Sequence, residues 1–387
     1  MPGCGPTPAY ATEGRNSDAS PPLSPNLERI AAREDIERGN AVRGVDLAER
    51  FTRFAAAECR GVSPLYRRLA EGLALDPEIL EIAARTRPGQ PVPNALLAAV
   101  HALLLAGVAD PLAAHYPSVS SRPAPLEDPY PLFRAFCLAH REEIVALIST
   151  RLIQTNEVRR CACLLPALGL VAATGGDRPL AMLEVGASAG LNLNWDRYGY
   201  DYGAGRRLGV PASPVQLTCE VRGELPPLPP RLPALAWRVG VDLSPVDLRD
   251  PSAVGWLRAL VWPDQPERAA LLEAAIALAR PDPPRLLAGD ALEHLPRLIA
   301  EAPADAALGV VHTHTLNQFT PKARERLEAI LCRASTEREI WRIGIEGRRG
   351  ATHAELELAR YAAGARRSRR ALARCEGHGE WIEWLAR

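Results

Sequence analysis

Lysine is all but missing from this chain. Among 46 basic residues only Lys322 is one, and the rest are arginines. A bias this complete reflects a GC-rich coding sequence and is not read as phosphate recognition. Net charge is missing too, because 46 acidic residues balance the basic ones. No overall basic field exists to recruit nucleic acid or an anionic membrane. Long apolar runs are also absent. The longest, ALLAAVHALLLAGV at 95–108, is too short to span a bilayer and contains His101, so it is read as a buried core helix. Finally, the eight cysteines lack metal-site spacing. The closest pair, Cys161 and Cys163, has no second pair at zinc-ligand distance. With no signal peptide recognised, the cysteines read as reduced and the protein as cytoplasmic, with no membrane, nucleic-acid or metal partner expected.

What is present is 387 residues, room for about two domains. Residues 1–25, rich in Pro, Gly, Ser and Thr, read as a disordered tail. Residues 26–175 read as a helical domain. SPLYRRLAEGL and DPEILEIAART each open with an N-cap residue followed by proline, Ser63–Pro64 and Asp76–Pro77. No convincing strand appears there. From 176 to 387 the pattern changes to apolar runs alternating with helical stretches. LAMLEVG, LAWRVGVDLS, PRLLAGDA, ALGVVHTHTL and REIWRIGIEG read as strands, and SRRALARCEGHGEWIEWL as two strands around a turn at 376–379. Alternation of this kind predicts an α/β fold: a largely parallel sheet with helices on both faces and an antiparallel hairpin at its C-terminal edge. The Gly- and Pro-rich stretch at about 200–233 reads as an insertion.

The stretch LEVGASAGLNL (183–193) admits two readings. As Gly-x-Ser-x-Gly it is a hydrolase elbow with Ser188 as nucleophile. That reading lacks an HGGG-like stretch upstream and follows a long helical region rather than several strands. As a glycine loop after the first strand it is a cofactor loop. Its small residues allow close backbone approach, and the following helix should offer free N–H groups and a positive dipole end. A cofactor loop also requires an acid at the end of the next strand, which Asp242 supplies, and a further strand end near the base, where Asp290 stands.

EVGASAG, GVDLSP, GDA and VVHTH together resemble the ordered motifs of class I S-adenosylmethionine-dependent methyltransferases, and the C-terminal hairpin fits that Rossmann-like fold. The chain departs from the pattern in one respect. About 50 residues separate Gly190 from Asp242, where about 20 is usual for dinucleotide sites, and the insertion absorbs the excess. QTNEVRR (154–160), EVGASAGLNLNWDRYGYDYG (184–203), GVDLSPVDL and VWPDQPER resemble the bacterial DUF2332 family, from about Arg53 to the C-terminus. That family carries a helical N-terminal region and a methyltransferase-like α/β domain. The resemblance implies S-adenosylmethionine as cofactor. It places the binding on Glu184, Gly186, Ala187, Ser188, Gly190, Asn192, Asp242, Leu243, Asp290 and Ala291.

His312 and His314, two apart in VVHTH, are expected on one strand face at the crevice, as proton acceptors or as a hydrogen-bonded structural pair. The polar run QTNEVRR is expected in the last helix before the first strand. It should face VVHTH across the crevice, with Asn156, Glu157 and Arg160 on substrate. Trp195 and Tyr198 are expected as apolar substrate walls. In VWPDQPER, Asp264 is expected to cap a helix. The function expected is methyl transfer to a small molecule. The alternatives are a non-catalytic binder of a nucleotide-like ligand and a serine hydrolase using Ser188. The oligomeric state stays open.

Overall fold

Ser63 and Asp76 start the first two long helices as their sequences demand. The Ser63 hydroxyl accepts from the Tyr66 N–H at 3.1 Å, and the Asp76 carboxylate accepts from the N–H groups of Glu78 and Ile79, each with proline at the first helical position. The computed structural model describes residues 46–121, 128–176, 178–347 and 351–385. Leu47–Arg387 forms one compact unit. The tail expected at 1–25 lies outside the described residues, as does the start of the expected helical domain.

A π-helical turn, Phe54–Glu58, precedes helices α1 (Pro64–Leu73), α2 (Pro77–Ala83), α3 (Val92–Leu105), α4 (Tyr130–Ala139), α5 (Arg141–Thr150) and α6 (Arg160–Thr174). Phe51, Leu69, Ile82, Leu96, Phe133 and Ile148 share one core, which also takes in Trp256 and Leu260 from the α/β part. His101, in the middle of α3, is a structural histidine. Its two ring nitrogens meet the Ala259 carbonyl at 3.0 Å and the Ser118 hydroxyl at 2.7 Å, and burial lowers its pKa to about 4.

The strands are β1 (Leu180–Val185), β2 (Gly199–Asp201), β3 (Arg207–Gly209), β4 (Gln216–Thr218), β5 (Glu220–Arg222), β6 (Leu235–Asp242), β7 (Arg285–Ala288), β8 (Ala307–Thr313), β9 (Ile340–Gly347), β10 (Ala354–Ala362), β11 (Ala365–Cys375) and β12 (Trp381–Trp384). The main sheet runs β5-β12-β11-β10-β9-β8-β1-β6-β7. The block from β9 to β7 is parallel throughout, and β9 to β12 form an antiparallel meander. The insertion forms a small sheet, β3-β2-β4, and sends β5 back to the edge of the large one beside β12. The expected hairpin is β11–β12; the meander adds β10, a strand the sequence reading leaves out.

β1 explains why the sheet carries a core on each face. Every residue of it is buried, and alternate side chains enter opposite layers. Leu180 and Met182 pack with Leu164 and Leu168 of α6 and with Leu272 and Ile276 of α8 (Pro266–Ala279; α7 is Pro251–Ala259). Ala181, Leu183 and Val185 pack with Leu295 and Leu298 of α9 (Ala291–Glu301) and Leu331 of α10 (Pro321–Ala334).

Two local expectations are corrected. QTNEVRR is not a helix up to Glu157: residues 151–157 run without helical hydrogen bonding, and α6 begins at Arg160. The helix in VWPDQPER is capped at Gln265 rather than at Asp264, whose carboxylate instead accepts from the Leu65 N–H at 3.4 Å.

Candidate ligand-binding crevice

Numbered by their order along the chain, the five parallel strands lie in the order 3-2-1-4-5. The winding reverses between β1 and β8. Connections on either side of such a reversal leave toward opposite faces, so a crevice opens over the carboxyl ends of those two strands. A cavity of about 480 Å³ lies there. Gly186 and Ser188 reach it from β1, Asp242 and Leu243 from β6, Gly289 to Leu292 from β7, and Thr313 to Thr315 from β8.

The loop after β1 turns through three left-handed residues, Gly186 (φ 76°), Ser188 (φ 51°) and Gly190 (φ 71°). At Gly186 a side chain has no room: a Cβ there would lie 2.2 Å from the Thr315 hydroxyl oxygen. The loop leads into a short 3-10 helix, Leu191–Arg197, where an α-helix is expected. The N–H groups expected to be free are largely occupied. Gly186 and Ala187 donate to the Val241 carbonyl, Ser188 to Asp242 Oδ2 at 2.8 Å, and Leu191 to Asn156 Oδ1 at 3.0 Å. The side chain of Asp242 therefore fastens the loop. Asp242 also accepts from the Gln154 amide at 2.5 Å and the Ser244 N–H at 2.9 Å.

Segment 151–157 crosses this crevice. Ile153, Gln154 and Thr155 line it, and Arg160 follows at the start of α6. Arg160 donates from Nε to the Gly377 carbonyl at 2.8 Å. His314 lines the same cavity. The two polar clusters therefore meet at one site, but only in part. Asn156 holds the 3-10 helix, and Glu157 forms a buried ion pair with Arg268 at 2.6 Å. Neither lines the crevice cavity.

The two histidines do not share a face. His312, inside β8, donates from Nδ1 to Glu346 Oε1 at 2.7 Å and lines a different cavity, of about 520 Å³, with Arg342, Glu357 and Arg369. His314 lies past the strand end with φ 52°, and that left-handed residue breaks the two-residue alternation. Burial, followed by the nearby Arg160 charge, lowers the His314 pKa to about 4. Its Nε2 is buried and has no partner.

Glu184 lies beneath the loop, almost wholly buried. Asn192 donates to its Oε1 at 3.1 Å, and its Oε2 has no partner. Burial pushes its pKa up to about 8. Asp290 caps α9 by accepting from the Leu292 N–H at 2.8 Å while facing the cavity.

Of the residues expected around a cofactor, Gly186, Ser188, Asp242, Leu243, Asp290 and Ala291 line the crevice. Glu184, Ala187, Gly190 and Asn192 form its floor without lining it. Trp195 and Tyr198 are fully buried in the core rather than in a substrate wall. The Tyr198 hydroxyl is satisfied locally by the Leu191 carbonyl at 2.5 Å. Ser188 donates its hydroxyl to the Gln154 carbonyl at 3.2 Å, and no described histidine is hydrogen-bonded to it. Among the described residues no group of His, Cys, Asp and Glu could hold a metal ion, and no helix is long and apolar enough to cross a membrane. The sequence reading misses Thr315, Gln318 and Phe319, which close the crevice from the β8 side. Their signal is position: they follow directly on a strand whose end carries two histidines.

These features define an α/β protein with a mostly parallel sheet and a polar crevice at the reversal of its strand order. The family model DUF2332, described as an uncharacterized protein conserved in bacteria, matches residues 48–384, and the chain belongs to that family. No curated relative and no solved structure matches the chain.

Proposed function

We propose that the crevice binds S-adenosylmethionine and that the protein transfers its methyl group to a small molecule. The observation that carries this reading is the convergence of four strand ends, at Gly186, Asp242, Asp290 and His314, on one cavity at the strand-order reversal. The cavity volume of about 480 Å³ falls in the range of small-molecule sites. Gly186, whose missing side chain lets Thr315 close against the loop, lines this cavity.

When bound, S-adenosylmethionine supplies an electrophilic methyl group on a sulfonium. Asp242 would hold the ribose hydroxyls, exchanging the Gln154 amide for them. Asp290 would stand beside the base. Arg160, the guanidinium at the crevice, would take the ligand carboxylate. Glu184 acts from beneath, through Asn192 and the loop. His314 is neutral above about pH 4 and stands in the crevice wall, so its imidazole would be the acceptor of a hydrogen bond or proton from the nucleophile. His312 faces another cavity and has no part in this step. Orienting a nucleophile toward the methyl carbon is the main work such a site performs.

Native mass spectrometry of the purified protein, before and after addition of S-adenosylmethionine, tests the reading. It predicts one cofactor or demethylated product per chain. A protein that retains neither, even with the cofactor in excess, contradicts it.

A further inference from the structure

A second cavity, of about 610 Å³, adjoins the crevice and shares Ile153, Thr155 and His314 with it. Its walls differ in kind. One is apolar and comes from the helical layer and the segment after α7: Val62, Tyr66, Ala98, Leu260 and Trp262. The Trp262 ring is wedged 5.5 Å from both Phe54 and Tyr66, so its position is fixed. The other wall is acidic. Glu58 comes from the π-helical turn, and Glu376 and Glu380 come from the turn between β11 and β12.

Charge on the acidic wall is only partly answered. Burial alone would raise the Glu376 pKa. Its interaction with His378 and the N–H groups of His378 and Glu380 outweigh burial and bring it down to about 2, so the carboxylate is ionised. Arg159 reaches Glu380 at 3.6 Å. The one guanidinium among the lining residues, Arg268, is already paired with Glu157. Among the described residues, neither Glu58 nor Glu376 forms an ion pair with an arginine; Glu376 pairs with His378 at 3.2 Å, and Arg160 acts on it only at longer range. A carboxylate in a partly desolvated cavity favours a cation, and a fixed indole face attracts one as well.

We infer that this second cavity is the acceptor site and takes an amine with an apolar body. Its role as acceptor site rests on the methyl-transfer reading; its preference for amines does not. The ammonium lies against Glu376 and Glu58 on binding, and the apolar body packs on Trp262 and Leu260; once the nitrogen gives one proton to solvent, its lone pair is free to attack the methyl carbon as the sulfonium sulfur leaves with the C–S bonding pair. The neutral His314 imidazole, at the wall common to both cavities, accepts an N–H hydrogen bond and holds the nitrogen beside the crevice. A pure nucleotide binder has no need of such an adjoining space.

The test uses three probes with one ring and different charge: tryptamine, indole-3-acetate and indole-3-ethanol. Each is titrated into the full chain by ligand-observed NMR. Tryptamine should bind about tenfold or more tighter than indole-3-acetate, the scale of one charge-assisted hydrogen bond. Glu376→Gln should weaken tryptamine about tenfold. Glu58→Gln, a change at an exposed position that leaves the core untouched, should weaken it less. Asp242→Asn should weaken S-adenosylhomocysteine more than it weakens tryptamine. Preference for indole-3-acetate, indifference to both glutamate changes, or no tryptamine binding overturns the inference. Tryptamine binding without S-adenosylhomocysteine binding keeps the amine site and removes the methyl-transfer reading.

Discussion

Two cavities open from the same strand, and each has a histidine in its wall and a carboxylate in or beneath it. In the cavity over the antiparallel half, Glu346 accepts from His312 and from the N–H groups of Thr315, Leu316 and Asn317. Burial would raise its pKa, but these donors together hold it low. Arg342 and Arg369 are both tied to Glu357. At the crevice, Glu184 has one donor, an orphaned oxygen and a pKa pushed up to about 8. His314 there has an orphaned Nε2. The contrast separates structure from site. A buried polar group with its partners supplied by the protein stabilises the fold. One left short, as Glu184 is beneath the loop and His314 at the crevice wall, keeps an unused bonding capacity. Two exceptions stand in the first cavity, Nε of Arg342 and Nε2 of His312, the latter packed over Gly344, where a Cβ would meet it at 2.6 Å.

The largest effect is expected from breaking the satisfied side. Glu346→Ala strips four donors of their acceptor, and unfolding in urea should show a loss of about 3 kcal/mol or more. Binding of S-adenosylhomocysteine to the folded fraction should weaken less than it does in Asp242→Asn, because Glu346 reaches the crevice only through the Thr315 backbone. A variant that keeps its stability, or loses its ligand, would erase the distinction between the two cavities.

The next effect belongs to Glu184. Its folded pKa is raised above the unfolded value, so the native state keeps a proton that the unfolded chain releases. Stability from this group is fully present below about pH 4.5 and is lost as pH rises toward 8. Wild-type unfolding free energy should fall by about 2–4 kcal/mol between pH 5 and pH 8.5, and Glu184→Gln should flatten that slope. Parallel pH profiles for the two proteins would show that Glu184 does not titrate in this window.

Asp242→Asn comes third. It keeps the shape of the side chain and removes the charge. S-adenosylhomocysteine affinity, measured by isothermal titration, should weaken by about 1–3 kcal/mol. An unchanged affinity would remove Asp242 from the binding site. The smallest effect is spectroscopic. The His314 ring resonances should not titrate between pH 5 and pH 8, because its folded pKa is lowered to about 4. A midpoint near pH 6.5 would mean that the imidazole is not buried as described.

Much of this arrangement is legible in the sequence, for local reasons. Small residues at 186–190 and acids at strand ends are read directly, since backbone approach and capping depend on near neighbours. The N-caps at Ser63 and Asp76 are read for the same reason. What escapes depends on distant partners or on single torsions. β10 alternates buried Ala354, Leu356 and Leu358 with Glu355 and Glu357 and then breaks step at buried Ala359, and its neighbours β9 and β11 fix it as a strand. The divergence of His312 and His314 follows from one left-handed residue. Trp195 and Tyr198, polar-edged aromatics of the kind that line pockets, are instead core residues, with Tyr198 bonded to a carbonyl seven residues back. Segment 151–157 looks continuous with the helices around it, and its extended course is set by contacts with Asp242 and Leu191 far along the chain.

The most direct test of the central claim is a crystal structure of the protein grown with S-adenosylhomocysteine. The account predicts the ligand in the crevice over β1 and β8, its ribose hydroxyls on Asp242 and its path against Gly186, with the Gln154 amide displaced. Density for the ligand elsewhere, or a crevice that keeps the Gln154–Asp242 bond under saturating ligand, would contradict it.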